Sequence, residues 1–314
     1  MLCPFCLTTT KLNLCSSCQR QLPADYVEFH SGWRGAFHTP AIVSVIGFGG
    51  HGKTVYLASL YYVLQNVVPR AWQNFFRQAL TLNTLKMLYQ NLGLLKSGQM
   101  PDPTLLVFPE PNIDRLHSIP KFGNRTLLIY DPPGEAFELG EDDSIQRFAG
   151  FVKQSPCALF LVSLTDMMDQ FESDDAVADE MHRLLETYNI GMTNMGGKTK
   201  NQHLIVVYTK ADRLLSQSNF PGEVIRCLEN SGVDGLSDIP AYVGGMKSNS
   251  LLLRNFTAET LKADNFLNNA RTKFKSVEFC AVSALGSEPV GDRLAERIAP
   301  RRVIDPLLWV LHKS

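Results

Sequence analysis

Several absences bound this chain. It has no excess of charge of either sign: 30 Lys and Arg stand against 31 Asp and Glu, and charged residues make up 19% of the 314. That balance argues against bulk, charge-driven attachment to nucleic acid or to acidic lipid. It has no apolar run near the roughly 18 residues that a bilayer span requires. Its longest runs, such as Cys157 to Leu164, are strand-sized. It also lacks a basic stretch followed by an apolar one at its start, so no secretory signal is read and a cytoplasmic location is expected. Nor is there an internal repeat or a long low-complexity tract. What is present is ordinary for a globular protein: 45% hydrophobic residues, enough to bury the core of one large domain or two smaller ones.

From Ala41 onward, short apolar runs alternate with helical patterns. Ala41 to Ile46, Thr104 to Phe108, Arg125 to Tyr130, Ala158 to Leu164, His203 to Thr209 and Val277 to Val282 read as strands. Helices are expected over Lys53 to Val67, mainly over 68–98, near 174–190 and 222–229, over 256–274, and at the end from Pro306 to His312. Residues 21–39 read as a short β extension or linker, and 231–250, rich in glycine and serine, as loop. Continuous apolar strands between helices imply βαβ units, hence a three-layer α/β fold around a mainly parallel sheet.

The turn after the first strand is Gly47-Phe48-Gly49-Gly50-His51-Gly52-Lys53-Thr54, which matches G-x-x-x-x-G-K-[ST] at every fixed position. A strand before it and a helix after it supply the required context. Such a loop must curl so that several N–H groups converge on phosphate oxygens, and glycines permit those dihedrals. Gly47, Gly49, Gly50, His51, Gly52, Lys53, Thr54 and Val55 form the expected cradle. Lys53 reaches the β- and γ-phosphates, Thr54 offers a hydroxyl to Mg²⁺, and the helix adds its positive end. His51 fills a variable position and reads as a bystander.

Three further segments follow, each at the end of an expected strand. Asp131-Pro132-Pro133-Gly134 places a carboxylate that can hold Mg²⁺ and an N–H, on Gly134, that can bond a γ-phosphate; it is also a plain turn sequence. Thr209-Lys210-Ala211-Asp212 fits [NT]-K-x-D: Asp212 can accept from guanine N1–H and N2–H₂, which adenine lacks, while the Lys210 stem packs on the base. The alternative for Asp212 is an exposed turn, which would leave an ATPase open. Ser283-Ala284 ends the last strand. Ligands of open α/β sheets bind at that carboxyl edge.

In this order and placement the motifs resemble those of TRAFAC-class (translation-factor and Ras-like) P-loop GTPases, over roughly residues 40–314. Within that class the chain is most similar to bacterial GTPases of the double-GTPase type, found in multi-gene conflict or defence systems. Its ending, Val303-Ile304-Asp305-Pro306-Leu307-Leu308-Trp309, resembles that group as well. The resemblance implies a GTP- and Mg²⁺-binding switch or assembly component, with Ser283 and Ala284 presenting a backbone N–H to guanine O6. Two departures stand out. Glu135 occupies the place of the water-positioning glutamine of Ras-like proteins, so Lys53 and Glu135 are the expected catalytic pair and hydrolysis is expected to be slow. The stretches from Thr54 to Thr104 and from Asp212 to Ser283 are long, which marks 68–103 and 231–274 as helical insertions suited to protein partners. Thr104 is the candidate switch threonine on Mg²⁺, with a buried strand threonine as the alternative.

Four of the seven cysteines lie in the first 18 residues, as Cys3-Pro4-Phe5-Cys6 and Cys15-Ser16-Ser17-Cys18. Each C-x-x-C turn aims two thiolates at one ion, and two pairs complete the tetrahedron that Zn²⁺ prefers. Disulfides and an iron–sulfur site are the alternatives. Residues 1–39 are thus expected to form a separate zinc module with its linker. With only Lys11 and Arg20 basic in the first 20 residues, it suits a protein partner better than nucleic acid. Cys157, Cys227 and Cys280 read as small buried hydrophobes.

Overall fold

A computed structural model describes the whole chain except residues 32–38, 102–108, 138–143, 171–173, 216–218, 231–232, 292 and 295. Seven strands build one sheet: β1 (Ala41–Ile46), β2 (Phe76–Ala79), β3 (Asn112–Ile119), β4 (Gly123–Tyr130), β5 (Cys157–Val162), β6 (His203–Tyr208) and β7 (Ser276–Ala281). They lie in the order β2-β3-β4-β1-β5-β6-β7. From β4 to β7 all neighbours are parallel, while β2 and β3 extend the sheet antiparallel. The expected parallel α/β sheet is present, and the antiparallel edge is an addition to it.

Both faces of the central strands are buried, with side chains dividing by period two. Val43 and Val45 of β1 join Leu159 and Leu161 of β5 on one face, against helix Lys53–Asn66 and closing helix Asp305–Lys313. Ile42, Ile46, Phe160 and Val162 point to the other face, against helix Asp174–Asn194. Register then sets the functional edge. Ser44 pairs with Tyr130, Ile46 with Phe160, Val162 with Tyr208 and Tyr208 with Ala281. The turns after β1, β4, β5, β6 and β7 therefore leave the sheet side by side.

Several local expectations change. The span 68–98 holds only one full helix, Leu82–Lys96; before it β2 runs along the sheet edge, carrying Arg77. Arg77 pairs with buried Asp114 of β3 at 2.7 Å, and the Tyr61 hydroxyl donates to the same carboxylate at 2.9 Å. Residues 24–30 are helical rather than extended. The glycine- and serine-rich stretch expected to be loop is mostly helix Ile239–Glu259, followed by Asp264–Lys273. Burial of Ile239, Met246, Leu253 and Phe256 along it outweighs the propensity cost of Gly244 and Gly245. Tyr242 of that helix donates to Asp305 at 2.6 Å, and Arg302 Nε donates to the same carboxylate at 2.9 Å, so the Val303-Ile304-Asp305-Pro306 segment is tied down at the start of the closing helix. The strand expected over Thr104 to Phe108 lies outside the described residues. No described helix is long and apolar enough to cross a membrane.

The cysteine knuckles do not stand apart from this domain. Cys3, Leu7, Cys15, Leu22 and Tyr26 belong to the same buried cluster as Tyr130, Phe151 and Phe160.

Candidate functional site

The loop after β1 curls over the start of helix Lys53–Asn66. Gly50 and Gly52 both sit at φ +78, a left-handed conformation in which Gly52 caps the helix. The Lys53 ammonium lies buried inside the curl and donates to the carbonyls of Gly47 and Phe48, each at 2.8 Å. His51 is more than a bystander. Its Nδ1 donates to the Leu161 carbonyl at 3.0 Å, and its own carbonyl accepts from the Thr209 hydroxyl at 3.0 Å. Burial pushes its imidazole down to about 4, so the ring is neutral at pH 7. His51 thus straps the loop to the ends of β5 and β6.

Asp131 follows β4 directly and is half-buried; Pro132, Pro133 and Gly134 are buried. Gly134 lies flat against the phosphate loop. A Cβ there would come within 2.4 Å of the Gly49 nitrogen and 2.8 Å of the Phe48 carbonyl carbon, both backbone atoms that cannot step aside. Only glycine fits. Glu135, in the turn Gly134–Phe137, is exposed. Thr54 and Val55 are half-buried in the first turn of the helix. Thr104 lies outside the described residues.

Beyond the loop a cavity of about 210 Å³ opens, lined by Gly50, Gly52, Val55 and Tyr56 on one side, Lys210, Asp212 and Arg213 on another, and Ala284 to Pro289 in part on the third. Here the sequence-distant segments meet. The Ala211 N–H donates to Val282 at 3.0 Å, locking the turn after β6 to the end of β7. The Ser283 N–H is occupied by the Arg301 carbonyl at 3.0 Å, and its hydroxyl accepts from the Gly286 N–H at 2.9 Å. Ser59, on the helix after the loop, donates to the Ala284 carbonyl at 2.6 Å. Of the Ser283-Ala284 pair, then, Ser283 shapes the turn and only Ala284 lines the cavity.

Two residues escaped the sequence reading. Asp166, in helix Leu164–Gln170 after β5, bonds the Lys210 ammonium and accepts from Arg213 at 3.0 Å. Burial raises its pKa, but the hydrogen bond from Lys210 and the charges of Lys210 and Arg213 outweigh burial and hold it below the usual carboxylate range. Arg183, on helix Asp174–Asn194, sets its guanidinium 4.3 Å above the Phe48 ring and is paired with Glu180. Neither belongs to a motif, so no local signal marked them.

At the N-terminus the two C-x-x-C turns are near copies. In each, the first cysteine's carbonyl accepts from an N–H four residues on, and that residue, Leu7 or Gln19, takes a positive φ. The four sulfurs lie within 4.8 Å of one another, with Cys3 and Cys18 at 3.8 Å and Cys6 and Cys15 at 3.5 Å. Disulfide sulfurs stand about 2.05 Å apart, so these are free thiols. Sulfurs at about 2.3 Å from a tetrahedral zinc lie roughly 3.8 Å from each other, so the donor set fits that ion. The Cys18 N–H and then the Thr8 hydroxyl hold the Cys15 thiol down to about 6.

Residues 41–240 match the Double-GTPase 2 family model. The chain belongs to the Double-GTPase 2 family. Its mainly parallel α/β sheet is the P-loop GTPase fold that the motif order implied. No curated protein matches this family member in sequence. Among solved structures it is similar, distantly, to a GTP-binding protein from Sulfolobus solfataricus in complex with GDP: 14% identity, TM-score 0.35, covering 87% of this chain and 53% of that one. It is also similar to the signal recognition particle receptor SRb-GTP/SRX complex from Chaetomium thermophilum, at 13% identity and TM-score 0.35, covering 81% of this chain and 95% of that one. The GTPase-like domain of Ski7 from S. cerevisiae, bound to GTP, aligns at 14% identity and TM-score 0.33, covering 88% of this chain and 51% of that one. The chain thus spans about half the length of the first and third.

Proposed function

We propose that this chain is a Mg²⁺-dependent GTP/GDP switch or assembly component with slow intrinsic hydrolysis, working in the cytoplasm through protein partners. The observation that carries the reading is the cavity in which Gly50 and Gly52 of the phosphate loop, Lys210 and Asp212, and Ala284 come together at one sheet edge. Gly47 to Val55 would hold the phosphates, with Lys53 on the β- and γ-oxygens. Thr54 and Asp131 would hold Mg²⁺, joined by Thr104 when GTP is bound. Asp212 would read guanine N1–H and N2–H₂, Lys210 would cover the base, and the Ala284 N–H would meet O6. Gly134 lies against Gly49, and its N–H would report a γ-phosphate bound at the loop. A bacterial defence role rests on the likeness to double-GTPase systems and is the outermost part of the reading.

Hydrolysis needs a water held in line and neutralisation of transition-state charge. Lys53, the loop amides and Mg²⁺ supply charge, but Arg183 is engaged by Glu180, and Glu135, at the usual water-positioning place, is exposed. Single-turnover assays with enzyme in excess should give about 10⁻⁴ to 10⁻² s⁻¹. Turnover above about 1 s⁻¹ would mean that the chain carries a complete catalytic apparatus. No product at all would favour a non-hydrolysing GTP-binding scaffold, the reading that the exposed carboxylate of Glu135 supports.

The four N-terminal cysteines would hold one structural zinc, whose binding supplies folding energy to a unit too small for a core of its own. Elemental analysis of purified protein should find one zinc per chain, and none after Cys3→Ser with Cys6→Ser. Protein free of zinc, or with iron in its place, would refute the assignment.

A further inference from the structure

Two buried tyrosine hydroxyls reach from the GTPase domain and its linker into the first cysteine turn. Tyr26 donates to the Leu2 carbonyl at 2.7 Å and Tyr130 to the Pro4 carbonyl at 2.6 Å, so the carbonyls on either side of Cys3 are both held. Tyr130 is the last residue of β4 and immediately precedes Asp131. It is fully buried, and its ring stacks on Phe151 with centroids 4.3 Å apart and planes 6° from parallel. Its backbone pairs with Ser44 of β1, three residues before the phosphate loop. The anchored ring and Asp131 therefore sit on one stretch of backbone at the entry to the Pro132–Gly134 turn. That turn has no slack, because Gly134 is already pressed against Gly49.

We infer that Tyr130 is a positioning residue that couples the cysteine knuckle to Asp131, so that a closed, metal-loaded knuckle is needed for tight Mg²⁺ binding at the nucleotide site. The Pro4 carbonyl keeps its place only while the Cys3–Cys6 turn is closed. When the turn opens, Tyr130 loses this tether and its ring is held by the stack on Phe151 alone, the same loss that removal of the hydroxyl produces, so Asp131 is less firmly placed. The expected independence of residues 1–39 from the nucleotide site is thereby replaced by a mechanical link. The inference rests on the reading of Asp131 as a holder of Mg²⁺.

The experiment uses the full chain loaded with a fluorescent GDP analogue, with analogue release followed against Mg²⁺ concentration. Tyr130→Phe keeps the ring and its stack on Phe151 and removes only the hydroxyl. It should retain zinc, release the analogue at the wild-type rate when no Mg²⁺ is added, and require about fivefold more Mg²⁺ for half-maximal slowing, the effect of one hydrogen bond between neutral groups. Cys18→Ser, which removes a zinc ligand, should shift the curve in the same direction, and the double variant should shift it no further than the larger single change. A wild-type Mg²⁺ curve for Tyr130→Phe, alongside a shifted one for Asp131→Ala, would overturn the coupling and leave the site reading standing. An unmoved curve for Asp131→Ala would instead overturn the site reading. Should Cys18→Ser not fold, Tyr130→Phe and Asp131→Ala decide the matter alone.

Discussion

Asp212→Asn should convert a guanine-selective site into one that prefers xanthine. The carboxylate sits half-buried on a turn with little freedom. Lys210 holds a positive φ of 53 and is tethered by Asp166; Ala211 is bonded to Val282, and Thr209 to the His51 carbonyl. In that frame Asp212 would accept two hydrogen bonds from guanine. Bonds to a charged group contribute about 1.5–3 kcal/mol each, so the pair amounts to about a hundredfold or more in affinity. An amide at the same place opposes the guanine amino group with its own donor but complements the carbonyl that xanthine carries instead. Equilibrium displacement of labelled GDP checks this. In the wild type, GDP and GTP should compete far better than ATP. In Asp212→Asn, GDP should weaken about a hundredfold and xanthosine diphosphate should gain. Equal competition by ATP and GTP in the wild type would remove guanine reading from the site.

The second large effect is expected from Lys53→Ala. The ammonium is already inside the loop, bonded to Gly47 and Phe48 at 2.8 Å each, so its position is set before any phosphate arrives. A preorganised cation of this kind contributes about 1.5–3 kcal/mol to a charged acceptor, and its loss should weaken GDP and GTP about tenfold or more. GMP lacks the phosphates that Lys53 would reach, so its binding should stay within about twofold. That difference separates loss of a contact from collapse of the loop. Unchanged GDP affinity in Lys53→Ala would count against a phosphate site of this type.

Much of the site was legible because its chemistry is carried by local backbone. The eight residues from Gly47 to Thr54 carry the glycines for positive φ and the lysine at the helix start, and the buried strand Ala41–Ile46 precedes them. Asp131 and Asp212 could be read for the same reason, each following an apolar run whose end is also the functional edge of the sheet. The strands β1, β5 and β6 declared themselves as apolar runs that are buried along their whole length, and β4 and β7 as runs that are buried toward their carboxyl ends.

Other features had no local signal. β2 is a half-exposed edge strand reading Phe-Arg-Gln-Ala, which no hydrophobic pattern marks; pairing with β3 and the buried Arg77–Asp114 contact make it a strand. Helix Ile239–Glu259 forms despite its paired glycines because packing against β7 outweighs propensity. His51 looked like filler in a variable motif position, and its strap to β5 and β6 exists only once those strands lie beside β1.

By itself, then, the sequence determined the chemistry: a phosphate loop, two carboxylates at strand ends, a Ser-Ala turn and four cysteines spaced for one ion. Each of these depends on residues within one turn of backbone. Only the tertiary structure decided how they act on one another. Asp166 reaches Lys210 across 44 residues, and Tyr130 reaches Pro4 across 126. Contacts over such separations are set by sheet order and register, which arise from the packing of all seven strands together, so no single segment of the chain contains them.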